Sequence, residues 1–157
     1  MHWGKAWPWI STVARLGLSA VFLVAGALKI TDLDESARAV NAYRLMDYDT
    51  AKVIGAIQPF LEIAVGLLLL IGLAVRLSAA IAALLLVVFI VGIISAWARG
   101  LQIDCGCFSS GGDLAAGRTA QYGLDIARDA GFLLLAGILL WKPRTRFSMD
   151  GLLMGER

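Results

Sequence analysis

Apolar residues run along this chain in four long stretches, each parted from the next by a polar segment or a tight basic turn. The first covers about Trp9 to Ile30, the second about Ile54 to Ala74, the third about Leu77 to Trp97 and the fourth about Gln121 to Trp141. Crossing the hydrocarbon core as a helix takes roughly 20 mostly apolar residues, and each stretch is long enough. A chain in lipid must satisfy its backbone internally, so helices are the expected form. Little more than Val75 and Arg76 separates the second stretch from the third, which predicts a tight hairpin. The pattern predicts an all-α integral membrane protein, one domain over residues 1–157, built as a four-helix transmembrane bundle. A rival reading takes the first stretch as a signal peptide, with Lys5 as its basic start and Ala25 to Ala27 imitating a cleavage site.

Two longer polar segments remain, about Thr31 to Val53 and about Ala98 to Ala120. In the first, Asp32 followed by Glu35 resembles a capping box. Leu33, Ala37 and Val40 then share one helical face, with Asp34, Arg38 and Asn41 opposite, so a short amphipathic helix is expected in this first outer loop.

Composition agrees with a membrane setting. The chain has 157 residues, is 59% hydrophobic and carries a net charge of only +2. Its mean hydropathy is +0.78. An ordinary soluble domain is less apolar and more charged. No strong basic field points to nucleic acid. The single histidine, His2, leaves nothing for His-based metal sites or for Ser-His-Asp and Cys-His catalysis.

With four spans, both polar segments fall on one side of the membrane, and the termini and Arg76 fall on the other. Lys and Arg choose the side. The two counts nearly tie, and the cluster Lys142, Arg144 and Arg146 directly behind the fourth span decides it. The expectation is a prokaryotic plasma membrane with termini cytoplasmic and both long loops extracytoplasmic.

The second loop holds both cysteines, Cys105 and Cys107, with Gly106 between them. Under the expected topology they face an oxidising compartment. At i and i+2 the extended backbone separates the Cα atoms by about 7 Å, at the limit of bridging, and Gly106 permits the bend that shortens this. So small a ring adds little restraint to the unfolded chain. A strained, exposed disulfide is instead the labile, exchangeable kind. A redox-active pair is the leading reading. A thiolate metal site needs ligands from elsewhere, and a third reading has cysteines that are buried, incidental or paired with another chain. No Lys, Arg or His adjoins either thiol in sequence, so which one attacks is not decided here.

Ionisable residues inside spans are expensive and are functional candidates. Glu62 lies in the second span, and Asp125, Arg128 and Asp129 lie in the fourth, on one face with Arg118 and Gln121. Lys29 closes the first span, and Arg15, near its other end, is expected to snorkel. Lys29, Glu62, Asp125, Arg128 and Asp129 all fall in the half beneath the cysteines. They form either interhelical pairs, Glu62 with Lys29 and Asp125 and Asp129 with Arg128, or a polar pocket opening toward Cys105 and Cys107. In such a pocket a carboxylate passes protons and a cation holds an anionic or quinone-like acceptor. The small residues Gly17, Ala20, Ala27, Gly66, Ala79 and Ala83 are expected at helix contacts.

Several of these stretches together resemble the MauE/DoxX-like redox-associated membrane proteins, the MauE branch above all. They are "ARLGLSAVFLVAGALKITD", "ARAVNAYRLM", "QPFLEIAVGLLLLIGL" and "DCGCFSSGG", spread from about Val13 to Trp141. The family's Gly after Cys-x-Cys-Phe is Ser109 here, with glycines delayed to Gly111 and Gly112. The resemblance implies a four-helix membrane bundle working beside a thioredoxin-like partner in disulfide formation or maturation of exported proteins. It carries no methylamine-specific role, since fold does not fix function. The leading expectation is a membrane thiol–disulfide oxidoreductase or redox carrier that cycles Cys105 and Cys107. It exchanges with a thioredoxin-like protein or an exported thiol substrate, and a quinone is one candidate acceptor. The alternative is a non-enzymatic assembly or anchoring subunit for an exported redox protein or a larger membrane complex.

Overall fold

The computed structural model describes residues 3–106, 112–114, 117 and 119–154. Among them are α1 (Trp3–Ile30), α2 (Leu33–Ala42), α3 (Tyr48–Ile71), α4 (Val75–Ala98), β1 (Ile103–Asp104), β2 (Gly112–Asp113), α5 (Tyr122–Trp141) and α6 (Met149–Met154). Three helices, α1, α3 and α4, are long and apolar enough to cross a membrane. The fourth apolar stretch folds as the helix α5, which is not among these three: Asp125, Arg128 and Asp129 crowd its first half and shorten its apolar run. The mostly helical membrane class therefore stands, with two short additions that hydrophobic periodicity did not show, the β1–β2 ladder and α6.

Boundaries moved for local reasons. The first helix starts at Trp3 rather than near Trp9. The third begins at Tyr48, six residues before Ile54, because the Asp47 carboxylate accepts hydrogen bonds from Thr50 N at 3.1 Å and Thr50 Oγ1 at 2.7 Å. It stops at Ile71, since Gly72 takes the left-handed conformation (φ 71°) that ends helices. The turn to α4 is therefore residues 72–74, not Val75 and Arg76, which begin the next helix.

The expected amphipathic helix is α2. Asp32 accepts from Glu35 N at 2.9 Å at its start. Ala37 is buried, Leu33 and Val40 are half-buried, and Asp34 and Arg38 are exposed. The α2 backbone lies against α3 at Gly55, where a Cβ would come within 2.7 Å of Ala37 Cα. Only glycine fits that approach.

α1 runs antiparallel to α3, with Arg15 meeting Leu69, Ser19 meeting Gly66 and Gly26 meeting Ile63, and α4 packs on α5 with Trp97 at its end against Tyr122 at the start of α5; α1 also meets α5. The core joins Leu18 and Phe22 of α1, Val65 and Leu69 of α3, Ala79, Ala82 and Leu86 of α4, and Ala136 and Leu139 of α5. A second cluster of Ala42, Ile93, Ala96, Ile103 and Tyr122 seats the β1–β2 ladder on the helix ends. The outward faces carry Val13, Leu84, Val91 and Leu134, each at least 60% exposed, as a lipid-facing surface requires. The small-residue expectation was right in part. Gly66 and Ala79 sit at contacts, but Ala20 and Ala27 face outward.

Arg15 does not snorkel. It is 2% exposed, and its guanidinium donates to Leu69 O (3.0 Å), Leu70 O (3.2 Å), Arg146 O (3.2 Å) and Phe147 O (3.2 Å). It ties the open carbonyls at the end of α3 to the segment leading into α6.

Candidate functional site

Cys105 follows β1 directly. The ladder pairs Ile103 with Asp113 and Asp104 with Gly112, antiparallel. Two side chains fix its position. Tyr122, at the start of α5, accepts from Ile103 N at 3.2 Å and donates to Leu101 O. Tyr43, just past α2, donates to Cys105 O at 2.8 Å. Gly106 takes φ +74°, a left-handed turn of the backbone at that residue. Asp104 closes it by accepting from Gly106 N at 3.0 Å. Cys107, like Arg118, lies outside the described residues.

The charges divide into two groups. In the first, the Lys29 ammonium of α1 meets Glu62 Oε1 of α3 at 2.7 Å, with side chains 10% and 1% exposed. Gln58 Nε2 donates to the same oxygen at 3.2 Å, and Lys29 lies 5.3 Å from the Phe89 ring centroid. Glu62 Oε2 has no hydrogen-bond partner among the described residues. It borders a cavity of about 20 Å³ that Asp129 also lines, roughly the space one water needs.

The second group gathers at the start of α5. Arg128 contacts Asp125 at 3.4 Å and Asp129 at 3.2 Å. The expected pairs of Arg128 with Asp125 and Asp129 are therefore present, but all three residues belong to α5, so they join one helix and not two. Arg128 reaches outward instead, and its Nη2 donates to Cys105 Sγ at 3.5 Å. The Asp125 carboxylate is also within hydrogen-bonding reach of the thiol. The Arg128 cation favours negative charge on the sulfur, and the Asp125 carboxylate opposes it.

The single polar pocket expected from Lys29, Glu62, Asp125, Arg128 and Asp129 is in fact two cavities with Cys105 on the wall of both. One, about 330 Å³, is mainly apolar. It lies among α1, α2 and the facing sides of α3 and α4, with Leu28, Val40, Ile54, Val88 and Phe89 in its apolar lining and Lys29, Asp32, Glu35, Ser36 and Gln58 in its polar lining. The other, about 540 Å³, is a polar cleft lined by Asp104, Gln121, Asp125 and Arg128. Glu62 and Asp129 belong to neither. Among the described residues, no group of three His, Cys, Asp or Glu side chains could hold a metal ion.

Sequence reasoning missed Tyr43, Tyr122 and the Arg128–Cys105 contact. Tyr122 sits at the margin of the fourth apolar run and Tyr43 inside the first polar segment, where neither reads as a site residue. Arg128 is 23 residues from Cys105, and nothing in that spacing signals that β1 lies over the second turn of α5.

Fold and site together define a small helical membrane protein that presents a cation-contacted cysteine between an apolar and a polar cavity. The family described as methylamine utilisation protein MauE matches residues 7–142, and the chain belongs to that family. A methylamine utilization protein MauE from Paracoccus denitrificans is 32% identical over 105 residues, covering 66% of this chain and 56% of that protein. The match thus spans little more than half of the relative's length. No solved structure matches the chain.

Proposed function

We propose that this protein is a membrane thiol–disulfide oxidoreductase in which Cys105 and Cys107 cycle between dithiol and disulfide. The observation that carries the reading is the Arg128 Nη2 contact at 3.5 Å to Cys105 Sγ, on a wall shared by the two cavities. A thiolate of a thioredoxin-like partner, or of an exported thiol substrate, enters through the polar cleft and attacks the Cys107 sulfur. The S–S bond breaks and Cys105 leaves as a thiolate beside Arg128, since a stabilised leaving thiolate departs faster. The partner's second thiol resolves the mixed disulfide. The partner is then oxidised by two electrons, and Cys105 and Cys107 are a dithiol.

Reoxidation delivers two electrons and two protons to a quinone in the apolar cavity, forming the quinol and restoring the disulfide. Lys29 and Gln58, with Asp32, Glu35 and Ser36, supply the polar part of that cavity, whose size and apolar lining suit a lipophilic ligand. Glu62 and Asp129, on the small cavity behind Lys29, are positioned to hand protons inward.

This reading takes α5 as the fourth span. It places Cys105 and Cys107 on the extracytoplasmic side and the termini in the cytoplasm. Support comes from the 20-residue length of α5, its antiparallel packing on α4, and the basic cluster that follows it. The relative's tie to methylamine utilisation belongs to that protein, and the proposed chemistry does not depend on it.

The test is the redox state of Cys105 and Cys107 in intact membranes, read with an impermeant, mass-shifting thiol label across graded dithiol/disulfide potentials. Outward-facing thiols that titrate together as a two-electron couple support the reading. Thiols that stay reduced at every potential sink it and leave the assembly or anchoring role, as does activity that survives Cys105→Ser.

A further inference from the structure

We propose that the end of the bundle formed by the start of α1, the α3–α4 turn and the segment after α5 binds the headgroup of an anionic phospholipid. Cations here stand on indole faces. Lys142 Nζ lies 4.5 Å from the Trp7 ring centroid and 5.6 Å from that of Trp141. The Arg146 guanidinium lies 5.0 Å from that of Trp9. Trp7 and Trp141 pack edge to face at 6.0 Å. Tryptophan collects at the headgroup level of membranes, so these rings hold the cations at the depth of lipid phosphates.

Among the described residues, none of Lys5, Arg76, Lys142, Arg144 and Arg146 is in an ion pair. The carboxylate of Asp150 is committed elsewhere, accepting from Ala74 N at 2.7 Å and Val75 N at 2.8 Å to cap α4. Two polar atoms at this end, Trp7 Nε1 and Thr145 Oγ1, are shielded from solvent and lack a hydrogen-bond partner among the described residues. Both are donors that phosphate oxygens satisfy.

The segment is a fixed platform. Arg15 holds the carbonyls of Arg146 and Phe147. Arg146 N donates to Thr12 Oγ1 at 2.9 Å, and Asp150 N to Gly72 O at 3.1 Å. Beside the cations, Phe147, Leu152 and Leu153 stand 83%, 80% and 68% exposed, apolar surface that acyl chains cover. Free phosphate offers the same oxygens without those chains. The apolar surface next to the charge selects the lipid.

The experiment is a low-salt titration of the full chain in neutral detergent with phosphatidylglycerol, phosphatidylcholine or inorganic phosphate, read by tryptophan fluorescence and thermal midpoint. Saturable binding and a raised midpoint are expected with phosphatidylglycerol alone. Lys142→Gln with Arg146→Gln removes two cations from the headgroup site and should weaken that binding by about thirtyfold. Lys52→Gln, at the other end of the bundle, should leave it unchanged, with circular dichroism confirming that each variant is folded. Equal responses to the two lipids overturn the proposal. So does full reproduction of the effect by inorganic phosphate, or an equal loss with Lys52→Gln.

Discussion

The guanidinium of Arg128 lies 3.5 Å from the sulfur of Cys105, across the gap between α5 and the β1–β2 ladder. That distance ties the start of α5 to the loop that carries Cys105. It predicts that Cys105 depends on Arg128 for its reactivity. In a Cys107→Ser background, Arg128→Gln should slow alkylation of Cys105 at neutral pH by about tenfold, and Arg128→Lys should recover part of the rate. An unchanged alkylation rate across the pH range would show that the contact is only packing.

The buried Lys29–Glu62 pair joins α1 to α3. Removing one partner leaves a charge in an apolar setting, so Lys29→Met or Glu62→Gln should each cost about 3–5 kcal/mol in detergent unfolding. Lys29→Met with Glu62→Leu together should cost less than Lys29→Met alone, because no charge is stranded. A double variant less stable than that single variant would refute this account.

Arg15 teaches a different lesson about depth. Its place near the start of α1 suggested a side chain reaching back to water, yet it satisfies carbonyls from α3 and from the segment before α6. Arg15→Leu strands those buried acceptors and should lower stability by about 3 kcal/mol or more. Hydrogen exchange should quicken in α6 as well as at the end of α3. Loss confined to α1 would contradict the tie.

Asp47 gives the one pH-linked expectation outside the spans. Hydrogen bonds from the Thr50 hydroxyl, and then from the Thr50 N–H, hold its carboxyl below the usual range. A lowered folded-state value means the stabilisation is fully present above the unfolded carboxylate value. It is lost as pH falls through the lowered one. Amide protection in the first turn of α3 should fade over that acid window. Asp47→Asn should keep the cap and remove the pH dependence, and Asp47→Ala should lose both. Protection that is independent of pH in the native protein would sink the claim.

The helices were legible because burial in lipid writes itself as long apolar runs, and α2 because Asp32 and its three inward residues follow a helical period. The two-residue strands β1 and β2 were not legible, since so short a ladder shows no alternation. Glu62 with Lys29 could be read as a pair because charges at matching depth in lipid need each other. Arg128 could be read with Asp125 and Asp129 on the same ground. Its own neighbours Asp125 and Asp129 met that need and left its outer nitrogen for sulfur. The division of the site into two cavities depends on where Tyr43 and Tyr122 pin the loop, and neither bond has a sequence spacing that announces it.

Gly92 separates the two halves of the proposed reaction. It lines the apolar cavity and not the polar cleft. A Cβ there would stand 3.4 Å from the Tyr43 ring, so a branched side chain must project into the cavity or push the ring. Gly92→Ile should therefore block reoxidation by an added short-chain quinone. It should leave a single round of exchange between the preformed disulfide and a thioredoxin-like dithiol close to the native rate. Stopped-flow measurement of that single round, beside steady-state quinone reduction, resolves the two. Loss of both would mean that the substitution has shifted Tyr43 and, through its bond to Cys105 O, the cysteine itself. Tyr43→Phe should then reproduce the defect. Loss of neither would remove the apolar cavity from the electron route.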